Sequence, residues 1–159
     1  MQGNEILYEI QRALSSEEVK FFPPASKEQI KKIGESLNVS VPEELISILS
    51  ISNGATQLME NPKTKEMMEI EAIYWSVDEI IANTLNQYQY LKTIDSKHKD
   101  KYLFFSDNGC GEHFGYKLSN GACYDSRIYV YYPIDDEYVV VAENFKEWAT
   151  NWFSGKLST

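Results

Sequence analysis

The fold turns on the stretch Tyr102-Leu103-Phe104-Phe105-Ser106-Asp107-Asn108-Gly109-Cys110-Gly111-Glu112-His113-Phe114-Gly115-Tyr116-Lys117-Leu118. Tyr102–Phe105 and His113–Leu118 are short aromatic runs with the composition of strands. Asp107, Asn108, Gly109 and Gly111 between them are turn residues, and Gly109 and Gly111 suit a hairpin that needs positive φ. So short a connection joins antiparallel neighbours, because a parallel pair needs a crossover of about a dozen residues or more. Arg127–Tyr132 and Tyr138–Ala142 repeat the pattern, with Asn120-Gly121 and Asp135-Asp136 as the turn signals.

Outside this stretch the period changes to that of helices. Ile6, Leu7, Ile10 and Leu14 lie on one helical face. Phe21-Phe22-Pro23-Pro24 then forces an extended segment, since the residue before proline avoids the helical region. Ser26 with Gln29 is a capping box for a helix whose stripe is Ile30, Ile33 and Leu37. Pro42 suits a first helical turn, Leu45, Ile48 and Leu49 follow, and Asn53-Gly54 stops that helix. Residues 55–69 read as polar and irregular with a turn at Asn61-Pro62, and Glu69–Trp75 as a strand. Ser76 and Glu79 form a second capping box, followed by Ile80, Ile81, Leu85 and Tyr88 on one face. A lysine-rich connector runs from Lys92 to Lys101. Asn144 and Glu147 open a last helix carrying Phe145, Trp148, Ala149, Trp152 and Phe153, closed by Gly155. Helices, then a meander, then a helix predict an α+β fold: an antiparallel sheet of four to six strands with helices packed on it, Trp148 and Trp152 beneath.

The chain has 159 residues, 43% hydrophobic and 25% charged, which predicts one globular domain spanning 1–159 without a metal or disulfide staple. Apolar runs are too short for a membrane helix, and Met1-Gln2-Gly3-Asn4-Glu5 has no features of a secretory signal. The expected location is the cytoplasm, where Cys110 and Cys123 are a reduced pair. The net charge of −9 disfavours nucleic acid and anionic membranes as partners and permits a basic protein.

Cys110-Gly111-Glu112-His113 is the densest chemical cluster. A nucleophilic cysteine needs a histidine within hydrogen-bond reach, and structural zinc needs four ligands. The remaining candidates, Cys123 and His98, stand in dissimilar contexts, so the segment reads as a turn. The spacing Gly109-x-Gly111-x-x-x-Gly115 fits neither phosphate-binding fingerprint. No catalytic residue, metal site or cofactor is expected. The candidate partner-binding residues are the acids Glu66, Glu69, Glu71, Asp78 and Glu79, which share a stretch without Lys or Arg, and the tip Asp135-Asp136-Glu137. Tyr129, Tyr131 and Tyr138 are candidate aromatic anchors.

The order of these signals resembles the Smi1/Knr4 family, the SUKH superfamily. Four pieces carry the likeness: Phe22-Pro23-Pro24-Ala25-Ser26 leading into Ile30, Ile33 and Glu35; Leu37-Asn38-Val39-Ser40-Val41-Pro42-Glu43-Glu44-Leu45 ending at Asn53-Gly54; Phe104 to Tyr116; and Val140-Val141-Ala142-Glu143-Asn144-Phe145-Lys146-Glu147-Trp148. The turn before the last strand, Tyr132-Pro133-Ile134-Asp135-Asp136, departs from the commoner Asp/His pattern. In bacteria the resemblance implies an immunity protein that silences a cognate polymorphic toxin domain, often a nuclease or deaminase. In fungi it implies a cell-wall-linked regulatory scaffold. Neither branch supplies catalytic residues. A Cys110/His113 enzyme is the remote alternative, distinguished by whether those side chains converge with a third polar group in a pocket.

Overall fold

A computed structural model describes residues 2–13 and 18–154. Among them the order is α1 Gln2–Ala13, β1 Val19–Phe21, α2 Lys27–Leu37, α3 Glu43–Leu49, β2 Ala55–Glu60, β3 Met67–Tyr74, α4 Val77–Thr93, β4 Tyr102–Asp107, β5 His113–Ser119, β6 Ala122–Cys123, β7 Ile128–Tyr132, β8 Glu137–Ala142 and α5 Phe145–Ser154. The larger sheet has five strands in the order β4-β5-β7-β8, with β6 paired to β5, and the smaller has the order β1-β2-β3. Every pairing is antiparallel. The fold is therefore α+β, as the alternation of periods dictates.

Local chemistry explains the boundaries. Ser26 and Ser76 each close a reciprocal capping box, with Gln29 and Glu79 reaching back to the cap N–H. Asn120 and Gly121, at φ 52° and 78°, give the β5–β6 hairpin its left-handed turn, a conformation open to Asn and Gly. Helix α5 opens where the Glu147 N–H donates to Asn144 Oδ1 at 2.8 Å.

The core forms where α5 meets the larger sheet. Trp148 is 0% exposed, its ring 4.9 Å from Phe105, 5.5 Å from Phe114 and 5.3 Å from Phe145. The side chain of Trp152 lies outside the described residues, as do those of Leu14 and Phe153 and the position Gly155. Helix α1 packs on α3 and α5, and α2 packs on α4. Helix α4 covers the β4 edge: Thr84 Oγ1 accepts from the Phe104 N–H at 3.2 Å and donates to the Phe104 carbonyl at 3.3 Å. The two sheets meet where the Trp75 N–H donates to the Phe105 carbonyl at 2.8 Å.

Three expectations change. Residues 55–69 are not irregular: β2 fills Ala55–Glu60 and β3 begins at Met67. Cross-strand pairing with β1 and β3 satisfies a backbone whose polar side chains conceal the pattern. Helix α3 ends at Leu49, before Asn53. Asn53 instead serves the next helix, Oδ1 accepting the Val77 N–H at 2.8 Å, while Gly54 turns the chain at φ 97°. The buried face of α4 is Val77, Ile80, Thr84 and Gln87, and Leu85 points out. The helix meets a strand edge whose open N–H and C=O groups select a hydroxyl over an apolar side chain.

Candidate functional site

The cysteine–histidine cluster turns a hairpin. Asn108 Oδ1 accepts from the Cys110 N–H at 2.9 Å and the Glu112 N–H at 3.4 Å, and the Asn108 N–H donates to the Glu112 carbonyl at 3.1 Å. Gly109 and Gly111 take φ 79° and 87°, where a Cβ is strained. Gly109 also abuts β3: a Cβ there would stand 2.6 Å from Glu71 Oε2. The His113 ring lies edge-on to Trp75 and Phe104, with Nδ1 3.1 Å from the Gly111 carbonyl oxygen. Burial lowers its pKa, although Asp107 and the Gly111 carbonyl act the other way. Cys110 is exposed on the turn, and its thiol has no hydrogen bond to His113 among the described residues. Both cysteines are free, and burial with Asp125 pushes the Cys123 thiol up to about 11, far from thiolate chemistry. Among the described residues no group of three or more His, Cys, Asp or Glu side chains is arranged to hold a metal ion.

The acids fall on three elements. Glu66, Glu69 and Glu71 lie on the β2–β3 hairpin, Asp78 and Glu79 in the first turn of α4, and Asp135 to Glu137 at the β7–β8 turn. Glu66 is exposed at the hairpin turn, its N–H held by Thr64 Oγ1 at 3.3 Å. Glu69 forms an exposed ion pair with Lys20 at 3.0 Å, and Glu71 is half-buried against the Gly109 turn. Glu79 is occupied as a helix cap, its Oε1 accepting the Ser76 N–H at 3.1 Å, whereas Asp78 is exposed.

At the third element the sequence reading needs correction. Asp136 is a structural acceptor, not a free docking charge. Its carboxylate takes hydrogen bonds from Tyr131 Oη at 2.7 Å, Ser96 Oγ at 2.8 Å and the Lys97 N–H at 3.3 Å. Its carbonyl oxygen lies 2.6 Å from His98 Nε2. Burial works to raise the Asp136 pKa, but the three donors and His98 outweigh it and hold the carboxyl below its ordinary value. Asp136 sits at φ 50°, a left-handed conformation that Asp and Asn tolerate. It thereby fastens the lysine-rich connector to the β7–β8 hairpin. Glu137 forms an ion pair with Lys97, and Asp135 is exposed.

The tyrosines are corrected for a related reason. Tyr131 is 1% exposed and Tyr129 is buried, because both faces of β7 are covered. Tyr138 is half-buried and stacks on Tyr102 with ring centroids 3.8 Å apart and planes 2° apart. These rings form an aromatic layer with His98, in which Tyr129 and Tyr131 are closed to a partner and Tyr138 keeps a partly exposed edge.

Sequence reasoning missed the surface that the hairpin exposes. Met59, Met67, Met68 and Ile70 stand well out into solvent, Met59 at 52%. The available signal was the placement of three of the four methionines within ten positions of one another, on either side of the Asn61-Pro62 turn.

The model of the SMI1/KNR4 family (SUKH-1) matches residues 24–151, well over half of the chain. No curated protein matches it.

Proposed function

We propose that this chain, which belongs to the SMI1/KNR4 (SUKH-1) family, is a non-catalytic immunity protein that binds and silences a basic toxin domain of nuclease or deaminase type. Family membership over residues 24–151 is the observation that carries the reading, because protein binding of the immunity type is the role that membership supports. Charge adds a physical reason. A domain acting on nucleic acid needs a cationic cleft, since phosphate contacts dominate its affinity. A chain of net charge −9 is steered to such a cleft and competes there with substrate. The exposed carboxylates Glu66, Asp78 and Asp135 are free for that encounter, and Glu69 is available by exchange of its exposed lysine partner.

The test is purification of the chain together with the C-terminal domain of the protein encoded beside it. A one-to-one complex is expected, with an association rate that falls as salt rises. A domain that does not associate, or that associates at a rate indifferent to salt, counts against the reading.

A further inference from the structure

Beyond Glu71 the β2–β3 hairpin leaves the body of the fold as an arm. Every residue from Met67 to Ile70 is exposed, and β3 is the edge of its sheet. A two-stranded hairpin is marginal in water by itself. Its apolar side chains gain nothing from exposure, yet this arm carries Leu58, Met59, Met67, Met68 and Ile70. Met59 pairs with Met68 across the strands, and Asn61 Nδ2 stands 3.7 Å from Met68 Sδ. Methionine is the residue that repacks most readily against a partner's surface.

Glu18, Gln57, Leu58, Met59, Glu60, Met67 and Ile70 line a hollow of about 410 Å³ on this arm. Its walls mix apolar side chains with polar ones, and its charged members are both carboxylates. Neither Glu18 nor Glu60 has an ion-pair partner among the described residues, unlike Glu69, which holds Lys20. The register slips between Gln57 and Leu58, so Ile70 is an extra residue on β3. A bulge of this kind breaks the ladder pattern that a further strand would need. The arm therefore offers side chains, not its backbone edge.

We propose that this hollow is the anchor pocket for an arginine on the surface of a cationic protein partner. Its methylene stem packs on Leu58, Met67 and Ile70, and its guanidinium is met by Glu18 and Glu60. An amphipathic side chain suits a hollow that sets apolar side chains beside two carboxylates. Arginine is also enriched among the residues that dominate interface energy. The assignment rests on the reading of the chain as a binder of a basic partner and names the surface that binds.

The test has two arms. In the first, the affinity of the neighbouring protein's C-terminal domain is measured for the wild-type chain, for Glu18→Gln/Glu60→Gln and for Asp95→Asn. The double variant should bind at least about tenfold more weakly, as expected when a desolvated charge pair is removed. Asp95→Asn, an exposed turn carboxylate away from the arm, should bind like the wild type, and all three proteins should melt together. A double variant that binds as tightly as the wild type overturns the proposal and leaves the function standing. In the second arm, 13C-methyl methionine spectra are recorded while a short peptide alternating leucine and arginine is added. Shifts at Met67 that vanish in the double variant support the pocket. Should the domain bind no form of the chain, the proposed function fails and this titration decides alone. Unmoved methyl signals, or shifts that persist in the double variant, overturn the proposal.

Discussion

Replacing Asp136 with Asn removes one charge while keeping shape and the tolerance for φ 50°. The amide oxygen can still accept from Tyr131 and Ser96, whose oxygens lie 2.7 and 2.8 Å from Oδ1. The amide nitrogen replaces Oδ2 and faces the Lys97 N–H, a donor against a donor. Two bonds thus lose their charge assistance and one is lost outright. Bonds to charged groups contribute ~1.5–3 kcal/mol and neutral ones ~0.5–1.5. Because the site is half-buried, the low end of each difference applies, about 1 kcal/mol for each of the two weakened bonds; the exposed Lys97 N–H turns to water at little cost, and the net loss is about 2 kcal/mol. For a chain of this size that lowers the thermal midpoint by roughly 4–8 °C. The sign with pH follows from linkage. The folded pKa is depressed, so the stabilisation is present above the unfolded carboxyl value and is lost as pH falls through the folded one. Urea unfolding followed by tryptophan fluorescence should show a gap between wild type and Asp136→Asn that is full at neutral pH and narrows below about pH 4. A gap that stays constant from neutral to acid pH would refute the charged-acceptor account of the latch.

Trp148→Ala removes a ring buried among Phe105, Phe114 and Phe145 and should cost ~3–5 kcal/mol in urea unfolding; a loss under about 1 would place that ring outside the core. Thr84→Val keeps the volume but strands the buried Phe104 N–H and C=O, so unfolding should show a loss of at least about 2 kcal/mol. Cys110→Ser alters an exposed turn residue held through its backbone, so stability should stay within about 0.5 kcal/mol and partner binding should not change; loss of binding would point to thiol chemistry.

How much of this was legible depended on the distance over which each signal acts. Capping boxes at Ser26 and Ser76, and the turns at Gly109, Asn120-Gly121 and Asp135-Asp136, act over a few residues and could be read directly. Strands β4, β5 and β7 announced themselves because their side chains are largely buried on both faces, and β8 through its run of β-branched residues. Of the smaller sheet β3 was legible, as Glu69–Trp75, but β1 and β2 were not, because they draw their stability from pairing with each other across more than thirty-five positions, Val19 with Gln57. The role of Asp136 was hidden for the same reason: its donors Ser96 and Lys97 lie about forty positions away. A run of acids shows charge but not which carboxylates the fold already employs. Glu79 caps a helix and Asp136 fastens a loop, while Asp78 and Asp135 stay exposed. Likewise Tyr129 and Tyr131 are typical of interfaces by composition and belong to the core by position.

The most direct test of the central claim is a survival measurement in cells making the C-terminal domain of the neighbouring protein. Viable counts are compared with and without this chain co-expressed at matched levels. If the chain is an immunity protein for a basic toxin domain, its presence restores viability to that of cells lacking the domain, and production of the domain alone is lethal. Lethality that persists with the chain present, while the chain is folded and abundant, would contradict the account.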